Sequence, residues 1–555
     1  MNEARTATVA WPPMVSRFPG VVWPAVPGQQ GVILATLLAQ LEQSQWLSSA
    51  AIEAAQLSQL RVLIEHAQRH SAFHAQRLAG YRPGQAQNLQ ECLSALPLMR
   101  RADLQSGPAG IDCAWLPPEH GEVSNVRSTG STGEPVSARR SGLNAMIWMA
   151  MTLREHLWQR RDFSQSLAVI RAQLAEEDTE RRGVAAANWG SPVNHLFASG
   201  PSYGLNLQTD VRRQAEWLRQ INPGYLLTYP NNFAALLDLA EGDPVRRAGL
   251  GRLKQLRSIG ETLPEALRLR CREVLGVEIV DAYSTQEVGV IAIECPQGGG
   301  YHVMSEGLVL ELLREDDQPC APGEMGRVVV TDLHNFATPL IRYDLRDLAE
   351  AAGPCACGRG LPKIRRVLGR TRNLIRLPDG RRLWPFMGVF SYRDIAPVRQ
   401  YQVVQHDLER VTLRLAVERP LTVAEEQVLI EKMLELLDYP FKAEIVYFSP
   451  EIPRGPGGKF EDLICEIPAG GGFLLCDRRT HAKDDFTPGE NWAEFDGLDD
   501  CVAKIGFRLA NFAAARTLAE RCHAHVMTHH TYAHRAATLH ETLLAWHEGK
   551  QGRLT

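Results

Sequence analysis

The sequence has no run of about 18 apolar residues, which excludes an ordinary membrane-spanning helix. It has no surplus of positive charge: 60 Lys and Arg stand against 64 Asp and Glu, a formal net charge of −4 over 555 residues. No nucleic-acid partner is therefore expected. Cysteine is sparse, 11 residues in all, which excludes a disulfide-stapled scaffold. No internal repeat and no long low-complexity tract occurs. The opening stretch MNEARTATVAWPPMV carries Glu3 and lacks the apolar core of a signal peptide, so a cytoplasmic location is expected. What remains is 45% apolar and 22% charged residues, an ordinary globular balance. The length suits two to four domains at ~150 residues each.

Residues 31–106 open with Leu, Ala, Gln and Glu at helical spacing, as in ATLLAQLEQSQWLSSAAIEAAQLSQLRVLIEHAQ, and predict a helical start. From about 165 to 350, apolar runs (LAVI, YLLTY, VEIVDAY, GRVVVTDL) alternate with amphipathic segments (FAALLDLA, LPEALRLRCREVLG). That alternation predicts an α/β core with mixed sheets. NLIRLPDGRRLWP reads as a hairpin turned at Asp379-Gly380. RVTLRLAVE alternates, with Val411, Leu413, Leu415 and Val417 on one face. VAEEQVLIEKMLELLD predicts a helix with an apolar stripe of Ile430, Met433, Leu434 and Leu437. AEIVYFSP reads as a further strand. The small-residue break Ala469–Gly472 marks a second boundary, followed by the strand-like FLLCD and a long helical tail.

Several segments carry chemistry. In VRSTGSTGEPV, Val126 to Val136, Gly130 and Gly133 let the backbone approach a ligand. Ser128, Thr129, Ser131 and Thr132 offer hydroxyls that, with turn N–H groups, wrap phosphate oxygens. Taken alone, such a run reads more readily as a slack surface loop. Three further elements alter that balance. Ser258 to Cys295 runs through a glycine turn, a helix and a strand into Tyr283-Ser284-Thr285-Gln286-Glu287. A carboxylate at a strand end suits Mg²⁺ held against phosphate, and a tyrosine ring stacks on a base. In TPLIRYDLRDLAE, Asp347 follows a strand and suits ribose hydroxyls. IPRGPGGKFEDL presents Lys459 on a glycine-rich loop, with Pro453 and Phe460 ruling out a Walker loop.

In this order the segments resemble the adenylate-forming superfamily of acyl-CoA synthetases, adenylation domains and luciferases. The similar branch is that of the phenylacetate–coenzyme A ligase-like proteins, which QLRVLIEHAQRHSAFHAQRLAG and LSALPLMRRADL also fit. The resemblance covers roughly 35–466. It implies an α/β fold with a large N-terminal adenylation domain over 1–370 and a small mobile α+β lid over 371–466, pivoting near Thr371–Arg372. Ser128–Gly133 (Ser128, Thr129, Gly130, Ser131, Thr132, Gly133) would hold the β- and γ-phosphates of ATP. Gly260, Glu261 and Thr262 would line the adenine pocket, and Tyr283 would stack there. Glu287 would bind Mg²⁺, Asp347 the ribose hydroxyls, Arg370 the ribose or phosphate region, and Lys459 would be the catalytic lysine. The tyrosine motif departs from the family, with Ser284 in place of glycine and Gln286 in place of Ser or Thr. At the pivot, Arg372 and Asn373 stand where an acid is usual.

The implied activity is formation of an acyl-adenylate from ATP and a small carboxylic acid, then transfer to coenzyme A, a carrier-protein thiol or an acceptor in a surface-polymer pathway. Cys295 and His302 in ECPQGGGYHVM, with Cys355 and Cys357 in GPCACGRGLP, make a donor set for a structural Zn²⁺, with buried thiols as the competing reading. The tail, 470–555, resembles the end of a two-Rossmann-domain glycosyltransferase of the spore-maturation type and is expected to be a partial, non-catalytic Rossmann-like extension. The alternative for the whole chain is a decayed adenylation scaffold linked to glycosyltransferase or surface-polysaccharide biosynthesis. A working sugar transferase would require a donor site that the sequence does not offer.

Overall fold

The computed structural model describes residues 11–105, 110–127, 136–172, 183–241, 243–370, 375–378, 382–383, 392, 395–449 and 452–453. Beyond these it describes 463–465, 475–477, 493–495, 503–504 and 521. The chain divides into two compact units, one built mainly from Met1–Arg372, the other from Asn373–Pro385, Tyr392–Ile452 and Asp462–Thr555.

The predicted helical start is present as Gln29–Ser44, Ser49–His70 and Ala72–Arg77. Ser48 caps the second of these by accepting the Ala51 N–H, and Ser71 caps the third by accepting the His74 N–H. The alternating apolar runs become Leu167–Arg171, Tyr225–Thr228, Glu278–Thr285 and Met325–Asp332, strands of one twelve-stranded mixed sheet. The intervening amphipathic segments are the helices Pro230–Glu241 and Glu265–Leu275. The latter stops at Gly276, whose φ of +68° supplies the left-handed cap.

One half of the sheet is parallel, running Ser202–Asn206, Leu167–Arg171, Tyr225–Thr228, Gln255–Ser258, Glu278–Thr285. All four residues of Tyr225–Thr228 are buried, as expected of a parallel strand covered on both faces. One core packs Phe233, Leu236 and Leu237 against Leu226 and Leu256. A second packs Leu34, Leu38, Met151 and Leu153 with Trp189 and Phe197. Beyond Glu278–Thr285 the sheet turns antiparallel, through Gly289–Glu294, Tyr301–Val303, Lys363–Arg370, Tyr343–Ala351, Met325–Asp332 and Leu308–Leu313.

In the second unit, the hairpin strands Ile375–Arg376 and Arg382–Leu383 pair as predicted, while Asp379 and Gly380 lie outside the described residues. A four-stranded sheet joins Val398–Gln405, Arg410–Val417, Lys442–Tyr447 and Leu463–Cys465. The helix Val423–Leu437 carries a capping box of Thr422 and Glu425. Its fully buried stripe is Leu429, Met433 and Leu437, whereas Ile430 and Leu434 are half-buried. The buried line thus runs at strict i, i+4 spacing, one residue off the predicted centre. Of the face predicted on Arg410–Val417, Val411, Leu413 and Leu415 are buried and Val417 only partly so; Thr412 and Ala416, on the opposite face, are buried as well.

Candidate functional site

Strand Glu278–Thr285 is the seam of the large sheet, with a parallel neighbour on one side and an antiparallel one on the other. The parallel strands all end at one edge, where open α/β sheets bind ligands. Gly260, Glu261 and Thr262 follow the strand ending at Ser258, and Gln286 and Glu287 follow the seam strand itself. Gly260 has a φ of +74°, a backbone state that glycine adopts without strain. The Glu261 carboxylate accepts from the backbone N–H of Asn231 at 3.2 Å and from its Nδ2 at 3.1 Å, which ties two adjacent strand-end loops together.

The Tyr283–Gly289 turn is fixed from several sides. The register with Gly289–Glu294 slips between Tyr283 and Ser284, a bulge that re-aims the side chains after it. Val288 N–H donates to Thr285 Oγ1 at 3.3 Å. Arg140 donates from Nη2 to the Gln286 carbonyl at 2.8 Å while its guanidinium lies 4.0 Å from the Trp148 ring centre. A Cβ on Gly289 would stand 3.2 Å from that ring, so the turn closes against Trp148 only with glycine there. The buried Tyr283 phenol donates to Asp347 Oδ2 at 2.6 Å, bringing the seam strand's end to strand Tyr343–Ala351. Asp347 in turn stands opposite Arg370 in the antiparallel register. Glu287 is buried and faces Arg101, with Nη1 to Oε1 at 3.6 Å.

Cys295, His302, Cys355 and Cys357 converge, their ligand atoms all within 4.8 Å of one another. Pairing of Tyr301–Val303 with Lys363–Arg370, His302 opposite Lys363, brings the two loops together. Cys295 Sγ and Cys355 Sγ are 3.7 Å apart, and Cys357 Sγ is 3.2 Å from His302 Nε2. Tetrahedral Zn–S bonds of ~2.3 Å place sulfurs about 3.8 Å apart, so the spacing fits zinc. His302 Nδ1 lies 3.2 Å from the Leu361 carbonyl, the outer hydrogen bond that leaves Nε2 for a metal. Burial pushes the Cys295 thiol up to about 12, and a bound cation would reverse that.

A family described as Glycosyl transferase-like matches residues 448–541. Among curated proteins, the phenylacetate-coenzyme A ligase of Pseudomonas putida is 23% identical over 351 residues, 61% of this chain and 74% of that protein. The phenylacetate-coenzyme A ligase of Thermus thermophilus is 28% identical over 173 residues, 29% of this chain and 38% of that protein. Among solved structures, 2-hydroxyisobutyryl-CoA ligase in its postadenylation state, in complex with 2-HIB-AMP, matches with a TM-score of 0.62 at 17% identity. That match covers 76% of this chain and 91% of the ligase. The fold is that of the adenylate-forming ligases.

Of the residues expected to serve such a ligase, Gly260, Glu261, Thr262, Tyr283, Ser284, Gln286, Glu287 and Asp347 are described, on strands and strand ends of one sheet. Ser128–Gly133 and Lys459 lie outside the described residues, as does the pivot at Thr371–Arg372. The strands flanking the first of these, Val123–Arg127 and Ser137–Ser141, pair antiparallel up to Arg127 opposite Ser137. A single carboxylate at a strand end suits Mg²⁺, which keeps most of its waters and takes its other ligands from phosphate; Glu287 is such a carboxylate. No helix among the described residues is long and apolar enough to cross a membrane.

Sequence reasoning missed Arg101, Arg140, Trp148 and Asp332. Asp332 is buried, accepts from Asn144 Nδ2 at 3.2 and 3.0 Å through its two oxygens, and accepts the His334 N–H at 3.0 Å. Burial pushes its carboxyl up to about 6, although these hydrogen bonds and Arg140 oppose it. A carboxyl whose folded pKa lies above its unfolded value of ~3.9 adds stability at low pH and loses it as pH rises towards the folded value. Asp332→Asn removes that loss. Relative to wild type, the variant is expected to gain about 2 kcal/mol between pH 4 and pH 7, read from urea-unfolding midpoints; a pH-independent difference would contradict the assignment.

Proposed function

We propose that the protein activates a carboxylic acid with ATP, forming an acyl-adenylate and pyrophosphate, and then passes the acyl group to coenzyme A or another thiol. The observation that carries this reading is the hydrogen bond between Tyr283 and Asp347 at the seam of the sheet, with Glu287 just past the end of the same strand and the Gly260–Thr262 loop on the neighbouring strand end. In this reading the adenine lies by Gly260, Glu261 and Thr262 and stacks on Tyr283. Asp347 accepts from the ribose hydroxyls, and Arg370 serves the ribose or phosphate region. Ser128–Gly133 wrap the β- and γ-phosphates. A substrate carboxylate oxygen forms the new bond to the α-phosphorus as the bond to the pyrophosphate oxygen breaks. Charge gathers on the phosphate oxygens, and Lys459 stabilises it. Magnesium, held by Glu287, would add a second positive centre when bound. Coenzyme A as acceptor accords with the phenylacetate-coenzyme A ligase relatives and with the solved 2-hydroxyisobutyryl-CoA ligase structures.

A second reading has one observation in its favour. The Glycosyl transferase-like match begins at residue 448 and so includes Lys459. In that reading the adenylation core is a binding scaffold for glycosyltransferase or surface-polymer enzymes. Carboxylate-dependent ATP–pyrophosphate exchange, run side by side with aryl, acyl and amino acids, separates the two. Exchange with at least one acid class is the expected result, and no exchange across the whole panel would favour the scaffold.

A further inference from the structure

Three segments distant in the chain meet around Phe336, and each brings an imidazole. The helix Ser49–His70 brings His66 and, one turn on, His70, with their rings 4.7 Å apart. The turn Pro118–His120 brings His120, and the loop after strand Met325–Asp332 brings His334. The His66 ring lies 5.0 Å from the Phe336 ring, and the His120 ring 4.8 Å from it. Backbone bonds close the junction. Ala114 N–H donates to the His70 carbonyl at 2.8 Å, and Cys113 N–H donates to the Ala337 carbonyl at 2.9 Å.

One nitrogen of each imidazole, His66 Nε2, His120 Nδ1 and His334 Nδ1, is buried with no hydrogen-bond partner among the described residues. A neutral imidazole leaves one nitrogen as a lone pair, whereas the charged ring has two N–H donors to satisfy. The closed junction therefore favours the neutral form of all three rings. Facing charges reinforce this: Arg69, His70 and His120 bear on His66, and His120 bears on His334. Glu119 beside His120, and the Phe336 and Gly307 backbone at His66 and His334, favour the charged forms but do not outweigh burial. Burial lowers all three imidazoles, that of His66 to about 4. Asp332, which accepts the His334 N–H, is the opposing group, its carboxyl pushed up by burial to about 6.

The loop that carries His334 and Phe336 also braces the candidate site. Asn335 Nδ2 donates to the Arg139 carbonyl at 3.0 Å, and Arg139 N–H donates to Thr338 Oγ1 at 2.8 Å. The next residue, Arg140, donates to the Gln286 carbonyl beside Glu287. We propose that His66, His120 and His334 form an acid-sensitive latch: neutral, they let the three segments close on Phe336, and protonated they part them and loosen the loop that braces Arg139 and Arg140. In the opened junction the imidazoles titrate near ~6.5. The latch is therefore at full strength above that pH and weakens as pH falls towards about 4. Its effect on ATP use rests on the adenylation reading above; the opening itself does not.

The test is hydrogen–deuterium exchange of the full chain at about pH 7.5 and about pH 5.5, read as protection factors over 113–120 and 333–338. Opening in wild type is expected to rise about tenfold over that interval, the ratio one imidazole generates when it titrates near 4 closed and ~6.5 open. The triple variant His66→Gln, His120→Gln, His334→Gln should flatten the rise. Asp332→Asn, which removes the opposing carboxyl, should steepen it, and with wild type it carries the test if the triple variant fails to fold. ATP–pyrophosphate exchange should fall over the same interval in wild type and fall less in the triple variant. Unaltered protection in acid, a rise that survives in the triple variant, or a shallower rise in Asp332→Asn would overturn the latch. Opening with no loss of pyrophosphate exchange overturns its reach to the site. Wild type inactive with every acid at both pH values overturns the adenylation reading, while protection alone still decides the latch.

Discussion

Replacing Lys459 with alanine is expected to reduce carboxylate-dependent ATP–pyrophosphate exchange about 100- to 1,000-fold, the loss usual when one preorganised charge-stabilising group is removed. The transition state spreads negative charge over phosphate oxygens, and an ammonium fixed at that point costs no reorganisation as the charge appears. Lys459 lies in a Gly-Gly context in the segment that follows strand Lys442–Tyr447. The Glycosyl transferase-like match also spans it, so the measurement decides which of the two resemblances governs this residue. The second half-reaction provides the control. Thioester formation from pre-formed acyl-adenylate and coenzyme A should survive in Lys459→Ala, because the α-phosphorus bond is then already made. Loss of both half-reactions together, or a lowered melting temperature, would point to a structural lysine instead. Exchange at the wild-type rate would remove Lys459 from the mechanism.

The order of motifs is legible in the sequence because each chemical task demands a residue type that composition does not hide. Tyr283 to Glu287, Asp347 and the strand-helix alternation around them emerge on one sheet as expected. The four metal-donor side chains are legible as residue types too. Their meeting is not written in any local pattern: His302 and Cys355 are distant in the chain and come together because His302 stands opposite Lys363 in the antiparallel pairing.

Other features are hidden from sequence for physical reasons. Arg100 and Arg101 are the same residue type in adjacent positions, and only the packing of their short helix decides which is buried. In Tyr225–Thr228 every side chain is buried, so alternation carries no information about which face looks toward a ligand. The slip between Tyr283 and Ser284 is a property of the pairing with Gly289–Glu294, and no spacing within either strand encodes it. Asp332 resembles any acid at a strand end until Asn144, from a distant helix, is placed against it.

Stripping metal from the Cys295, His302, Cys355 and Cys357 cluster is expected to lower the melting temperature by on the order of 5 °C, a loss of a few kcal/mol for a domain of this size. The loop that carries Cys355 and Cys357 also makes contacts of its own. Gly360 N–H donates to the Gln45 carbonyl at 2.9 Å, and Arg359 donates to Gln45 Oε1 at 2.7 Å. The Arg359 guanidinium lies 5.0 Å from the Trp46 ring and 4.3 Å from the Trp158 ring. A metal at the cluster would thus fasten a sheet loop to the ends of two helices, and its removal should be felt at both tryptophans. Purified protein is expected to hold about one zinc per chain by elemental analysis, and a Cys355→Ser, Cys357→Ser double variant to hold none. The double variant should melt earlier and alter its tryptophan emission. Pyrophosphate exchange below the new melting temperature should stay near wild type, because the four donors are separate from the residues assigned to ATP. Protein that contains no zinc and melts at the same temperature with or without chelator would leave the four side chains as packed thiols and an imidazole, held by the sheet pairing alone.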